Sequence, residues 1–231
     1  MSVFYEKVLP GRFIERPNRF IARVAADGQE VTAHVKNTGR CKELLLPGSR
    51  VILSHAAREG RKTDFDLVGV YKGDMLVNID SQAPNAIAQD YLRARFPGAT
   101  IRREAAYGHS RLDFHVRDGD MSLYAEVKGC TLEENGLALF PDAPTQRGVR
   151  HLNSLMDAVK EGHQALALFI IQMRPVRAFS PHDRMHPTFG RALRAASAAG
   201  VEVAAIDCYV REDGMAPGEP VPVILSGDSP T

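Results

Sequence analysis

The amino-acid sequence predicts two units in tandem. A small all-β barrel of OB size covers residues 1–80, and an α/β domain covers residues 81–231. Three observations carry this. Five or six short strand-like runs separated by turn signals fill the first part. The texture changes at Ser81-Gln-Ala-Pro84. Beyond it, strand-like and helix-like segments alternate.

In the first unit, Arg12 to Arg16 stops at Pro17, and Arg19 to Ala25 stops at the strong hairpin turn Asp27-Gly28. Glu30 to Val35 alternates with period two, as a half-buried strand does. Pro47-Gly48 precedes Arg50 to Ser54, and Phe65 to Tyr71 turns at Lys72-Gly73-Asp74 into Met75 to Ile79. In the second unit, Ile87, Tyr91, Leu92 and Phe96 fall at helical spacing until Pro97-Gly98. Strand-like Thr100 to Tyr107, Arg111 to Arg117 and Leu123 to Lys128 follow, the last two joined by the turn Asp118-Gly119. Thr145 is an N-cap for a helix to about Glu161, ended by Gly162, with Leu152, Leu155, Met156 and Val159 on its apolar face. A buried strand (Ala165 to Gln172), a helix (Thr188 to Ala199) and a strand (Val201 to Ile206) complete the domain. After Arg211 the chain is Gly/Pro-rich, with Val221 to Leu225 as a last strand.

The 231 residues are 44% hydrophobic and 25% charged, the proportions of a soluble globular protein, which excludes collagenous and disordered classes. The 29 Lys+Arg against 28 Asp+Glu carry none of the high pI usual in nucleic-acid binders. Residues 1–80 hold 13 basic and 10 acidic side chains, and residues 81–231 hold 16 and 18. This mild polarity suits a polyanion-binding module joined to a metal-binding one, and chance suits it equally. The longest apolar run, Ala165 to Ile171, is far short of the roughly 20 residues of a spanning helix, so no membrane is expected. No signal-peptide pattern opens the sequence, and Cys41, Cys130 and Cys208 read as reduced thiols, so a cytoplasmic location is expected.

The most informative chemistry lies in Arg111-Leu-Asp113-Phe and Ala125-Glu126-Val127-Lys128. In a strand Glu126 and Lys128 share a face, and a hairpin pairing would set Asp113 beside Glu126. Two carboxylates and an ammonium then converge. Mg²⁺ or Mn²⁺ takes one or two carboxylates and keeps waters for phosphate groups. Asp113 and Glu126 are the expected metal ligands, and Lys128 would orient the attacking water and offset developing charge. The plain alternative is a solvated strand face with a cross-strand ion pair. Glu104, on the preceding strand, is a candidate third metal ligand or a surface residue beside Arg102 and Arg103.

Arg147 and His151, four apart near a helix start, are candidate phosphate contacts or an ordinary solvated face. In the first unit, Arg16, Arg19 and Arg23 interleave with Phe13 and Phe20 as in single-strand-binding barrels, or as in any strand with a core and a solvent face. Asn37-Thr38-Gly39 reads as a strand-end turn that presents polar groups or simply turns. His182 and His186 make a doubtful zinc pair because Pro181 and Pro187 disfavour a regular helix between them. No Gly-rich phosphate loop appears, and no small-molecule cofactor is indicated.

Asn37-Thr38-Gly39, Arg111-Leu-Asp113-Phe, Glu126-Val-Lys128-Gly-Cys-Thr-Leu132, and Phe140-Pro-Asp142-Ala through Arg147-Gly-Val-Arg-His151-Leu together resemble the prokaryotic sugar fermentation stimulation protein family, in order, from about Leu9 to Leu225. The resemblance implies an N-terminal OB-like barrel and a C-terminal restriction-endonuclease-like domain of the PD-(D/E)xK kind. It also implies DNA binding and a regulatory link to sugar (maltose) utilisation. The nuclease signature maps onto Asp113, Glu126 and Lys128, and Glu104 matches a strand glutamate of the pattern. Lys36 departs from it, where Pro is expected before Asn-Thr-Gly. The resemblance therefore implies a DNA partner with Arg16, Arg19, Arg23, Asn37, Thr38, Arg147 and His151 as candidate contacts. Two functions follow: a metal-dependent DNA nuclease of low sequence specificity, or a non-catalytic DNA-binding regulator that keeps the fold without turnover. A sugar-binding protein ranks last.

Overall fold

Pairing of the first strands starts at the far end of the chain. In the computed structural model, which describes residues 3–37, 39–56 and 60–226, β1 (Val3–Phe4) pairs antiparallel with a strand near the C-terminus. The barrel comes next. It comprises β2 (Val8–Asn18), β3 (Ile21–Ala26), β4 (Gln29–Val35), β5 (Arg50–His55) and β6 (Phe65–Lys72), and β7 (Met75–Asn78) extends it. The order is β4-β3-β2-β5-β6-β7, and a parallel pairing of β4 with β6 closes five strands on themselves. This is an OB barrel. Alternation does the sorting: Ala22, Val24 and Ala26 point inward from β3 while Arg23 and Ala25 point out. Asp27 and Gly28 both take positive φ, 51° and 73°, as a two-residue hairpin requires.

The sequence stops the first barrel strand at Pro17, but β2 runs through it to Asn18. Register shifts between Phe13 and Glu15 and between Glu15 and Asn18 place the proline in a bulged stretch, where no ladder N–H is needed.

After the barrel come α1 (Ala83–Arg95), β8 (Thr100–Tyr107), β9 (Ser110–Asp118), β10 (Met121–Cys130), β11 (Leu132–Glu134), β12 (Leu137–Phe140), α2 (Gln146–Lys160), β13 (Gln164–Ile171), β14 (Ala178–Pro181), α3 (Pro187–Ala198), β15 (Glu202–Arg211) and β16 (Gly214–Pro220). The large sheet has the order β1-β16-β15-β13-β10-β9-β8. Its β8-β9-β10 arm is an antiparallel meander, and β10, β13 and β15 are parallel through the helical crossovers. α1 covers one face through Ile87 and Leu92 against Phe114, Leu123 and Leu166. α2 and α3 cover the other with Leu152, Leu155 and Leu193. Buried on both faces, β13 reads Ala-Leu-Ala-Leu-Phe-Ile-Ile without alternation. None of the described helices is long and apolar enough to cross a membrane.

Three parts of this architecture differ from the sequence expectation. The first residues join the large sheet, not the barrel. The stretch after Arg211 forms the regular strand β16, whereas Val223 makes only an isolated bridge to Phe179. A separate three-stranded sheet, β11-β12-β14, has no counterpart in the sequence pattern, because strands of three or four residues are too short to show a period.

The barrel and the sheet domain are joined through a buried polar knot. Asp80, 3% exposed, takes an ion pair from Lys36 at 2.6 Å and a hydrogen bond from the Tyr5 hydroxyl at 3.3 Å. Gln172 donates its Nε2 to the carbonyls of Asn78 and Asp80 at 3.0 and 3.1 Å. Lys36, the departure from the expected Pro, thus anchors the barrel to the linker.

Candidate functional site

The β9–β10 ladder ends at Phe114 and Ala125, while β10 continues beside β13 as far as Cys130. At this fork the next residues of the two strands are Asp113 and Glu126, which the register sets opposite each other. The broken ladder leaves the Val127 N–H without a strand partner. Asp113 takes it on Oδ2 at 2.8 Å, and its Oδ1 accepts from Asn85 Nδ2 of α1 at 3.2 Å. Asp113 is therefore held by two elements.

Glu126 is 4% exposed. Its Oε1 accepts from Lys128 Nζ and contacts His151 Nδ1. Its Oε2 is buried with no partner among the described residues. Behind it, Arg147 Nε donates to His151 Nε2 at 3.3 Å. A ring nitrogen that accepts carries no proton, so the neutral imidazole bears its proton on Nδ1 and donates it to Glu126. α2 sets this row because Arg147 and His151 are one turn apart, and Thr145 caps the helix by accepting from Gly148 N at 3.0 Å.

The two carboxyls are displaced in opposite directions. Burial raises Asp113, the negative charge of Glu126 adds to this, and the Val127 N–H, Lys128 and Asn85 offset it only in part. Burial also raises Glu126, but the His151 hydrogen bond and Lys128 outweigh it, and the net shift is downward. Glu126 is held as an anion, and its charge keeps its neighbour's proton from leaving easily.

The other sequence candidates are placed as follows. Glu104 lies opposite Asp113 but adopts a left-handed φ of 51°. Its side chain is 57% exposed and its nearest cation is Arg111 at 3.9 Å, so it is not brought to the pair. Among the described residues no group of three or more His, Cys, Asp or Glu side chains is arranged to hold a metal. Arg147 and His151, expected as phosphate contacts, stand in the row behind Glu126. Arg16 is occupied by its own chain: it donates to the carbonyls of Gly39, Arg40, Arg19 and Asn37 at 2.6 to 2.9 Å. Arg23 pairs with Glu15 and Glu30 at 3.3 and 3.5 Å. Arg19 stacks over Phe20 at 4.7 Å and remains at the surface. Asn37 closes an Asx turn by accepting from Gly39 N at 2.7 Å, and Thr38 lies outside the described residues.

His182 and His186 are buried in structural roles. His182 Nδ1 meets the Pro141 carbonyl at 3.2 Å, and His186 Nδ1 accepts from Thr145 N at 3.4 Å. The three cysteines are free and buried, and burial pushes the thiols of Cys41 and Cys130 up to about 12. Asn85, which steadies Asp113, escapes sequence reasoning because a polar residue in a first helical turn has no period to mark it.

An OB barrel followed by a mixed sheet whose forked hairpin carries Asp113 and Glu126-x-Lys128 defines a two-domain protein of restriction-endonuclease-like build. Residues 14–79 match the SfsA N-terminal OB domain, and residues 82–214 match the sugar fermentation stimulation protein RE domain. The chain belongs to the sugar fermentation stimulation protein family. It is 48% identical over 223 residues to a sugar fermentation stimulation protein homolog of Desulfitobacterium hafniense (strain DSM 10664 / DCB-2), covering 96% of this chain and 98% of the relative. It is 46% identical over 224 residues to one from Clostridium beijerinckii, with 96% and 99% covered. Among solved structures, SfsA of Pyrococcus furiosus in complex with Ca²⁺ superposes with a TM-score of 0.86 at 28% identity, over 96% of this chain and 97% of that one.

Proposed function

We propose that the chain binds DNA and hydrolyses its phosphodiester bonds with Mg²⁺ or Mn²⁺ held by Asp113 and Glu126. The observation that carries this reading is the buried Glu126 Oε2, which has no protein partner among the described residues although the group is held ionised. Burying an anion with one oxygen unpartnered is costly unless a cation completes it. A donor set of two carboxylates fits a hard cation that keeps most of its waters. The structural relative was solved in complex with Ca²⁺, itself a hard cation, which supports a divalent ion as the partner. When bound, such an ion supplies an acidified water and polarises a phosphoryl oxygen.

The chain's own residues have separable tasks. Asp113, fixed by the Val127 N–H and Asn85, presents a carboxylate in one orientation. His151, set by Arg147, holds Glu126 in place through Oε1 and leaves Oε2 free. The Lys128 ammonium lies beside the carboxylate and offsets negative charge building on the phosphate. The OB barrel supports a nucleic-acid partner, since such barrels present a strand-binding face. Arg19, exposed on the barrel surface, is suited to a phosphate.

A second reading, DNA binding without turnover, is favoured by one contact. Lys128 bonds Glu126 directly and so neutralises it in place of a cation. A link to sugar utilisation rests on the relatives' name.

Cleavage of labelled single- and double-stranded DNA with Mg²⁺ or Mn²⁺, comparing the wild type with Lys128→Ala, tests the proposal. Metal-dependent cleavage lost in the variant supports the nuclease. Binding without cleavage by either protein replaces it with the second reading.

A further inference from the structure

A cleft of about 110 Å³ opens where the barrel meets the sheet domain, one residue beyond Lys128. One water needs roughly 10–15 Å³, so the space takes a group many times larger, but not a base pair. Its floor is Gly129. A Cβ there would come within 2.5 Å of Gln172 Oε1 and 2.7 Å of Pro84 Cγ, so the absence of a side chain helps keep the space open. Pro84 also precedes Asn85, which bonds Asp113, so the cleft and the carboxylate pair share both β10 and the start of α1.

The walls combine apolar surface with polar groups, of which the fixed ones deep in the wall are acceptors. Pro84 and Phe140 supply apolar surface. Gln172 is 2% exposed, and its Nε2 is engaged by Asn78 and Asp80, which turns its acceptor Oε1 to the wall beside Gly129. Asp142 adds a carboxylate. Asn37 has its Oδ1 occupied by Gly39 N, which leaves Nδ2 as a donor. The cleft thus offers the Gln172 and Asp142 acceptors, the Asn37 donor and the hydroxyls of Ser81 and Thr131 between apolar surfaces, and the Ser81 hydroxyl, which donates to the Lys36 carbonyl, adds a further acceptor oxygen. A carboxylate in the wall repels phosphate, so the backbone of a bound strand does not belong here. A flat ring with an amino group at its edge does.

We infer that this cleft takes one unstacked nucleobase bearing an exocyclic amino group, from a single strand whose neighbouring phosphate lies at Asp113 and Glu126. The inference rests on the nucleic-acid reading above and adds its substrate class: an unpaired strand with cytosine or adenine next to the reacting bond. Carboxylates accept from the cytosine amino group, whereas thymine turns a carbonyl to the same position. A base inside a duplex cannot enter without leaving its stack, so unpaired DNA is preferred.

The test is fluorescence anisotropy of the full chain with labelled all-thymidine single strands, in Ca²⁺ without Mg²⁺, with one dC or one abasic unit moved through every position. The expected result is about tenfold tighter binding for dC than for dT at one position, with the abasic strand no better than dT there. In Asp142→Asn that dC preference falls below about threefold. Equal Kd for dC and dT at every position in the wild type, a comparison that needs no variant, overturns the inference while strand binding itself stands. A dC preference undiminished in Asp142→Asn also overturns it. Failure of every strand to bind at low salt removes the nucleic-acid reading, and this inference with it.

Discussion

Glu126 and Arg16 are both charged side chains drawn in from water, and their surroundings differ in kind. Arg16 gives four hydrogen bonds to four backbone carbonyls of its own barrel, with only Nε left over. Three of those carbonyls belong to the loop after β4 and the fourth, of Arg19, to the β2–β3 turn, and the guanidinium satisfies them where no ladder does. Glu126 has one oxygen crowded by Lys128 and His151 and the other without a partner among the described residues. The arginine completes a piece of scaffold. The glutamate is steadied from one side only and left open on the other. Degree of burial does not separate a structural charge from a site. What separates them is whether the group's capacity is met by atoms that have nowhere else to go.

The widest break between the two regions is expected in activity. Lys128→Ala should lower metal-dependent DNA cleavage by about 10²–10³-fold, the usual loss for one charge-stabilising group, and that loss should far exceed the cost to stability of removing its contact with Glu126. Single-turnover cleavage checks it. A variant that cuts as fast as the wild type removes Lys128 from the reaction. Arg16→Ala should do the reverse. Hydrogen bonds to a charged donor contribute about 1.5–3 kcal/mol, and a loss of that size should appear in thermal unfolding while metal affinity at the sheet fork is unchanged. Arg23→Ala, which removes only exposed ion pairs with Glu15 and Glu30, should stay within about 0.5 kcal/mol. Equal stability for the Arg16 and Arg23 variants would show that the carbonyl clamp contributes nothing.

How legible these regions are in the sequence follows from the range of the interactions. The hairpin that sets Asp113 against Glu126 is readable from Asp118-Gly119 and two strand-like runs, because turn chemistry and period two are local. Thr145 as a cap and Gly162 as a stop are readable for the same reason. The closing β4–β6 pair is anticipated only through barrel size. The fate of the arginines is not readable. Arg16 and Arg19 look alike along the chain, and the difference is made by a loop some twenty residues away that folds back onto one of them. His151 behind Glu126, Asn85 behind Asp113 and β1 beside β16 are contacts between distant segments with no pattern at either end.

A finer division runs inside the site itself, between its two carboxylates. Glu126 is held below its ordinary range, so its charged form stabilises the fold above the unfolded carboxyl value, about 4.3, and that contribution is lost as pH falls through the lower folded value. Asp113 is held above its range, so its charged form is a penalty at neutral pH that disappears below about 3.9, where both states bind the proton. Glu126→Gln should therefore lower the melting temperature at neutral pH, and Asp113→Asn should raise it slightly, with both differences shrinking on acidification. Calorimetric scans across this range in chelator settle the signs. Shifts in the same direction at neutral pH would mean that the two carboxyls do not feel each other as described. Asp113→Asn should also abolish divalent-metal binding, which separates its part in the site from its part in the fold.

The smallest expected effect concerns the helix that supports Glu126. Thr145 lies in extended backbone at the N-cap of α2, and its hydroxyl accepts from Gly148 N at 3.0 Å. Its own N–H donates to His186, so two segments fix the start of the helix. Thr145→Ala removes the hydroxyl and keeps the N–H, and should cost about 1 kcal/mol. The cost to the site should be separable from this. Arg147 and His151 sit within the first two turns, so fraying there loosens the hydrogen bond that orients the imidazole before it unfolds anything. An orienting contact of this type is worth about 10–100-fold in metal affinity when it is removed outright, as in His151→Ala. Partial loosening in Thr145→Ala should fall well short of that, and Thr145→Ser, which restores the acceptor, should recover both stability and affinity. Recovery of stability without affinity would show that the methyl group, which packs against Gly148, matters to the site more than the cap does.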